Sequence, residues 1–170
     1  NGTDIWVVTH HWGNDAFAAY QVTAAGVNMT PVISNTGFDM DYRTVGPDTL
    51  LSMGAIKISP DGTKLAIAHN KVGVELFDFD AATGQVSNPI RLREDDQEYY
   101  GVEFSPNSEV LYISISKGEL LQYDLNAMDI PGSEFEIADD PLIFGLQLGI
   151  DSKMYVALDF VPYVAAVNQP

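Results

Sequence analysis

The chain contains no cysteine. Disulfides, thiolate metal sites and a cysteine nucleophile are therefore excluded, while the redox compartment stays open. Cationic side chains are scarce: 8 Lys and Arg stand against 24 Asp and Glu, a formal charge of −16. A surface of that sign repels phosphate backbones and anionic lipid, so nucleic-acid binding is not expected. No apolar run approaches the ~18 residues of a membrane helix, and no membrane insertion is expected. A Ser-His-Asp arrangement, a Gly-rich phosphate loop and an HExxH motif are also missing. No catalytic residue and no cofactor are assigned. The acidity reads as solubility, with Ca²⁺ or another bound cation as the sharper alternative. Asp39-Met40-Asp41 and Asp78-Phe79-Asp80 are short carboxylate pairs, but neither continues into a calcium-loop pattern. Asn28-Met29-Thr30 matches a glycosylation sequon, a tripeptide common by chance.

What is present is a repeat. Ser59-Pro60-Asp61-Gly62 recurs in degraded form as Ser105-Pro106-Asn107-Ser108 and as Gly149-Ile150-Asp151-Ser152, at steps of 46 and 44 residues. Before each turn come Ile56/Ile58, Val102/Phe104 and Leu146/Leu148, interleaved by Lys57, Glu103 and Gln147. Alternation at period two marks a half-buried strand, here strand a. After each turn, Leu65–Ala68, Leu111–Ser114 and Met154–Ala157 form strand b. Pro60 and Pro106 preset φ for a tight link between antiparallel neighbours. Strand c reads as Val74–Phe79 and Leu120–Leu125; strand d reads as Asn88–Leu92 and Phe135–Ile137. Pro89 cannot donate to a ladder, so strand d is placed at an outer edge. A period of about 40–50 residues built from short strands is the signature of a β-propeller, one blade per period.

The chain's first strands fit the same scheme without a strand a: Trp6–His10 as b, Phe17–Val22 as c and Pro31–Ser34 as d. Val164–Val167 is strand c of a fourth unit. The expected fold is all-β, a propeller segment over 1–170 of about four antiparallel blades. Two are complete (54–93 and 100–138) and two partial (1–36 and 144–170). The segment opens mid-blade without Met or a signal peptide, so the chain is expected to be a piece of a larger propeller. Blade edges left open in such a piece favour self-association.

Up-and-down connectivity puts the a–b and c–d turns on one face of the disc and the b–c and d–a loops on the other. The second face holds His10-His11-Trp12-Gly13-Asn14-Asp15, His69-Asn70-Lys71-Val72-Gly73, Ser116-Lys117-Gly118 and Asp159-Phe160-Val161-Pro162. It also holds the Gly37–Ser52 stretch, the acidic Glu94–Glu98 run with Tyr99 and Tyr100, and Asp139-Asp140-Pro141. Binding residues concentrate on loops held by a rigid scaffold. The candidate ligand contacts are His11, Trp12, Asn14, His69, Asn70, Asp95, Asp96 and Tyr99. Each has a plainer reading. His10 and His69 end equivalent strands, so they read as a repeat feature hydrogen-bonding a neighbouring loop. The acidic run reads as solvated, and the tyrosines as packing. Adjacent His10 and His11 point to opposite faces, which argues against a metal site made by that pair.

Four phrases in order carry a resemblance: Trp6-Val7-Val8-Thr9-His10, Ile58–Ala66, Val74–Asp80 and Tyr100–Pro106. They resemble the WD40/YVTN-like propeller in large Bacteroidetes surface proteins with a gliding-motility or type IX secretion sorting domain. The resemblance implies a secreted or cell-surface location and a non-catalytic adhesion or interaction role with a protein or glycan partner. It supplies no catalytic residues, and this chain lacks the sorting domain and the adhesion modules. The alternative is a propeller enzyme of lactonase or quinoprotein type using the histidine- and carboxylate-rich face.

Overall fold

The computed structural model describes residues 4–40, 53–116, 118–140 and 143–170. The loop expected from Gly37 is described as far as Met40; Asp41, Lys117 and Pro141 lie outside the described residues. Within them the chain forms four antiparallel sheets and no α-helix. The first holds β1 (Ile5–His10), β2 (Ala16–Thr23), the two-residue β3 (Gly26–Val27) and β4 (Val32–Asn35). Both β3 and β4 pair with β2, opposite β1. The second sheet runs in chain order through β5 (Ile56–Ile58), β6 (Lys64–His69), β7 (Gly73–Asp80) and β8 (Gln85–Arg93). The third repeats that order with β9 (Tyr99–Phe104), β10 (Val110–Ile115), β11 (Glu119–Asp124) and β12 (Phe135–Asp139). The fourth holds β13 (Ile143–Leu148), β14 (Met154–Leu158) and β15 (Val164–Val167).

Both faces of the middle sheets are buried, which is why their b strands are largely apolar. Leu65 and Ile67 pack toward the first sheet with Phe17 and Phe77, while Ala66 and Ala68 pack toward the third with Val102 and Leu111. Tyr112, the odd residue between Leu111 and Ile113, joins Met154 and Val156 of the fourth sheet. Each fully buried Leu, Ile or Phe contributes about 1.5–3 kcal/mol of transfer free energy. Successive sheets thus stack face to face. The interleaved polar residues of the a strands meet in a row: Lys57 Nζ lies 2.9 Å from Glu103 Oε2 and donates to Gln147 Oε1 at 2.9 Å. Glu103, nearly buried, also accepts from Leu148 N at 2.9 Å.

The repeated turn works through its serine. Ser59 Oγ donates to Asp61 Oδ1 (2.6 Å) and accepts from Lys64 N (2.9 Å); Ser105 Oγ donates to Asn107 Oδ1 (2.7 Å) and accepts from Val110 N (2.9 Å). The fourth turn position is left-handed in all three copies, with φ +75° at Gly62, +62° at Ser108 and +61° at Ser152. Pro89 sits on edge strand β8, as its missing N–H requires, and the ladder slips beside it between Leu76 and Asp78. Asn88 carries that bulge at φ +53°, and its amide donates to Asp78 Oδ2 at 2.7 Å. Three details differ from the sequence reading. Thr23–Gly26 closes a small extra hairpin, a 3-10 turn at Pro131–Ser133 precedes β12, and Tyr99 and Tyr100 lie within β9, not in the acidic loop before it.

Candidate functional site

Backbone hydrogen bonds knit the b–c and d–a loops into one face: Asn70 N to Met53 O, Lys71 N to Gln97 O, Ser116 N to Glu98 O and Asp140 N to Gly118 O. The opposite face is joined by its own bonds, among them Asp61 N to Ser108 Oγ (3.2 Å). On the loop face, where the first and second sheets meet, lies a cavity of about 200 Å³. Its lining includes His10, His11, Trp12, Met40, Met53 and His69 over a floor of Ile56, Ile67 and Ala68. Trp12 stands half-exposed at the rim.

His10 ends β1 and His69 ends β6, so stacking two sheets sets their rings side by side, 5.1 Å between centroids and edge-to-face. His10 also meets Phe17 at 4.7 Å, and His69 meets Phe38 at 6.0 Å. Both Nε2 atoms are buried without a hydrogen-bond partner. At these nitrogens the rings meet aromatic edges brought up by the sheet interface and find no polar partner. Burial pushes His69 down to about 3, with the nearby His10 adding to the effect. Burial, seconded by His11, also lowers His10, whose ring hydrogen-bonds the His11 backbone. Both rings are therefore neutral near pH 7.

Beneath Phe38 sits Glu75, 1% exposed on β7. Its Oε2 accepts from Phe38 N at 2.7 Å, and its Oε1 lies 3.8 Å from Arg91 Nε. Burial raises its pKa to about 7, against the pull of the Phe38 amide and of Arg91. The Arg91 guanidinium covers the Phe38 ring at 4.6 Å and pairs with Glu94 at 2.7 Å. A more open cavity of about 460 Å³ lies over this group, bordered by Lys71, Arg91, Glu94 and Asp95.

Of the candidates read from sequence, His11, Trp12 and His69 come together in the smaller cavity. Asn14 stands beside it as a loop brace, its Oδ1 accepting from Ala16 N and its carbonyl from Met40 N. Asn70 is buried, with Nδ2 reaching Tyr99 O at 3.4 Å. Asp95 borders the larger cavity and accepts from the Tyr99 hydroxyl at 2.7 Å. Asp96 is exposed in the loop. Tyr99 is fully buried, and burial together with Asp95 raises its pKa. The sequence reading did not single out Met40, Met53, Phe38, Glu75 or Arg91 as site residues. Glu75 carried a signal, a carboxylate inside the apolar run Val74–Phe79; the methionines carried none. Among the described residues no three His, Cys, Asp or Glu side chains gather as metal ligands, and no helix is long and apolar enough to cross a membrane.

A family model described as "Regulator of MON1-CCZ1 complex, N-terminal" matches residues 17–128. It is a different family from the Bacteroidetes surface repeats that the motifs resemble. No curated protein sequence matches the chain. A protein from Bacteroides uniformis described as a 6-phosphogluconolactonase superposes with a TM-score of 0.60 at 11% identity, over 95% of this chain and 46% of its own. The PQQ domain of pyranose dehydrogenase from Coprinopsis cinerea gives 0.59 at 12%, over 95% and 45%. A protein from Lactobacillus plantarum gives 0.59 at 14%, over 89% and 44%. The chain spans less than half the length of these three structures. At such identities the likeness is one of fold, that of a partial β-propeller.

Proposed function

The chain belongs to the family of the N-terminal region of the regulator of the MON1-CCZ1 complex, and from that membership we propose that it is a non-catalytic protein-interaction module. It contributes blades to a propeller whose loop face meets a protein partner. The carrying observation is the family match over residues 17–128, which takes in the second sheet whole and β9, β10 and β11 of the third. The site's composition supports it: a half-exposed Trp12 at the rim of an apolar hollow has the chemistry of an interface anchor. The partner to try first is the MON1-CCZ1 complex named by the family. Isothermal titration of the purified chain against that complex should give saturable binding, and Trp12→Ala should weaken it by about 2 kcal/mol, roughly 30-fold. Absence of binding by the unsubstituted chain overturns the assignment.

The resemblance to surface propellers adds finer readings of the same module: a glycan as ligand and a secreted or cell-surface location. Glycan-array binding and surface labelling of the native protein test them. Self-association belongs here too. Ile5 and Val7 on edge strand β1 and Val164 on edge strand β15 are exposed, and unpaired apolar edges favour pairing with another strand. Light scattering that finds a strict monomer at high concentration removes that part. The rival reading, a lactonase- or quinoprotein-like enzyme, draws on the two buried neutral histidines at the cavity. Lactone hydrolysis that is lost in His11→Ala and His69→Ala would establish it.

A further inference from the structure

Buried polar atoms without a partner cost free energy, and each one asks what ligand, ion or water satisfies it. Among the described residues four side-chain atoms are in this position: His10 Nε2, His69 Nε2, Asn70 Oδ1 and Glu75 Oε1. Two of the four are imidazole nitrogens of rings 5.1 Å apart that border the same cavity. His69 is 5% exposed.

His10 Nε2 is buried with no hydrogen-bond partner, and the ring lies against the backbone of His11 on its other side. A neutral imidazole that gives its N–H at Nδ1 keeps its lone pair at Nε2. Such a tautomer, fixed by a bond from the far nitrogen to a backbone carbonyl, is how proteins present a histidine to a metal. Two thioethers border the same space, and the backbone fixes both beside the histidines. Met40 N donates to Asn14 O in the loop that follows His10, and Asn70 N, next to His69, donates to Met53 O. Met40 is 1% exposed.

The donor set discriminates among ions. Among the described residues the cavity lining holds no carboxylate, and carboxylate or carbonyl oxygens are what Ca²⁺, Mg²⁺ and Mn²⁺ require. Structural zinc takes four ligands from Cys, His and carboxylate, and no cluster of even three such side chains exists among the described residues. Thioether and neutral imidazole are soft or borderline donors that suit Cu(I). A monovalent ion also has a smaller desolvation cost in this apolar surround than a divalent one.

We propose that His10, His69 and Met40, with Met53 at the margin, form a binding site for a soft monovalent metal ion, Cu(I). His11 and Trp12 close its outer side. The site lies between the first and second sheets, so an ion there ties β1 to β6 and serves the fold independently of any partner on the loop face.

The test titrates the 170-residue chain with Cu(I), anaerobically and in reductant, against a chromogenic Cu(I) chelator. The expected result is one equivalent withheld from the chelator. The double variant His10→Phe/His69→Phe should lose at least ~10-fold in affinity. Lys153→Ala, in the turn before β14 and remote from the cavity, should bind as the unsubstituted chain does. X-ray absorption on the Cu(I)-loaded unsubstituted chain should show imidazole nitrogen together with sulfur; this decides the matter even where the double variant misfolds by circular dichroism. Binding equal in the folded double variant and the unsubstituted chain overturns the site. So does an absorption spectrum without imidazole, or a chain that withholds no Cu(I) from the chelator.

Discussion

Glu75 and His69 sit on adjacent strands of one hairpin, and burial moves their protonation equilibria so that their effects on stability oppose each other. For Glu75 the folded value, about 7, exceeds the ordinary 4.5. The folded state therefore binds more protons in that window, and stability falls as pH rises from about 4.5 to about 7, on the order of 3 kcal/mol in all. For His69 the folded value, about 3, lies below 6.5. The unfolded chain then binds more protons, and stability is lost as pH falls below about 6.5. The two slopes partly cancel between about 4.5 and 6.5. Glu75→Gln removes one of them, so urea unfolding of that variant should show stability climbing with pH where the unsubstituted chain is flatter. A parallel pH profile for both proteins would contradict the assignment. The repeated turn offers a second check at this scale. Ser152 occupies a left-handed position with no side-chain bond to hold it there, at a cost of about 1 kcal/mol relative to glycine. Ser152→Gly should raise the unfolding free energy by up to that amount. Ser108→Gly should gain less, because Ser108 Oγ accepts from Asp61 N in the neighbouring turn.

At the scale of strands and hairpins, Gly73 is a tight constraint on the site. It opens β7 at φ +151°, and a Cβ there would fall on the carbonyl oxygen of Arg93 in β8. Gly73→Ala must push β8 away or bend β7, and Val74, Leu76 and Glu75 lie directly downstream. A loss of about 2–4 kcal/mol in a denaturant titration is expected; a variant within about 0.5 kcal/mol of the parent would contradict the geometry. The strands themselves were legible in the amino-acid order, because the two middle blades repeat the same local code (apolar pair, serine turn, apolar run, carboxylate-ended strand) and the outer two keep parts of it. Ile56/Ile58, Leu65–Ala68 and Val74–Phe79 all fall within β5, β6 and β7. The contacts between sheets were not legible. His10 and His69 are 59 positions apart, and only the face-to-face stacking of two sheets makes them neighbours. Phe38 reaches Glu75 through a loop whose path no local pattern specifies. Tyr99 fell at a loop edge in sequence because the acidic run beside it masks the start of β9. Met40 joins the cavity through one backbone bond to Asn14, an arrangement with no compositional trace.

Across the whole molecule the sign of the charge decides the response to salt. A formal −16 stores self-repulsion that unfolding relieves. The ion pairs among the described residues, such as Arg93 with Glu134 (2.6 Å) and Lys64 with Asp78 (2.6 Å), work the other way, but they are partly exposed and each contributes little. Repulsion therefore outweighs attraction, and raising NaCl from about 0.02 M to about 0.2 M shortens the screening length enough to raise Tm by a few degrees. A Tm that falls over this range would mean the local pairs dominate. Three turns built to one pattern suggest units that could be copied and set end to end, yet the row at Lys57, Glu103 and Gln147 forbids it. A duplicate of the second unit in place of the third would seat ammonium against ammonium and deprive Leu148 N of its acceptor. The innermost column of this protein assigns each unit a fixed seat.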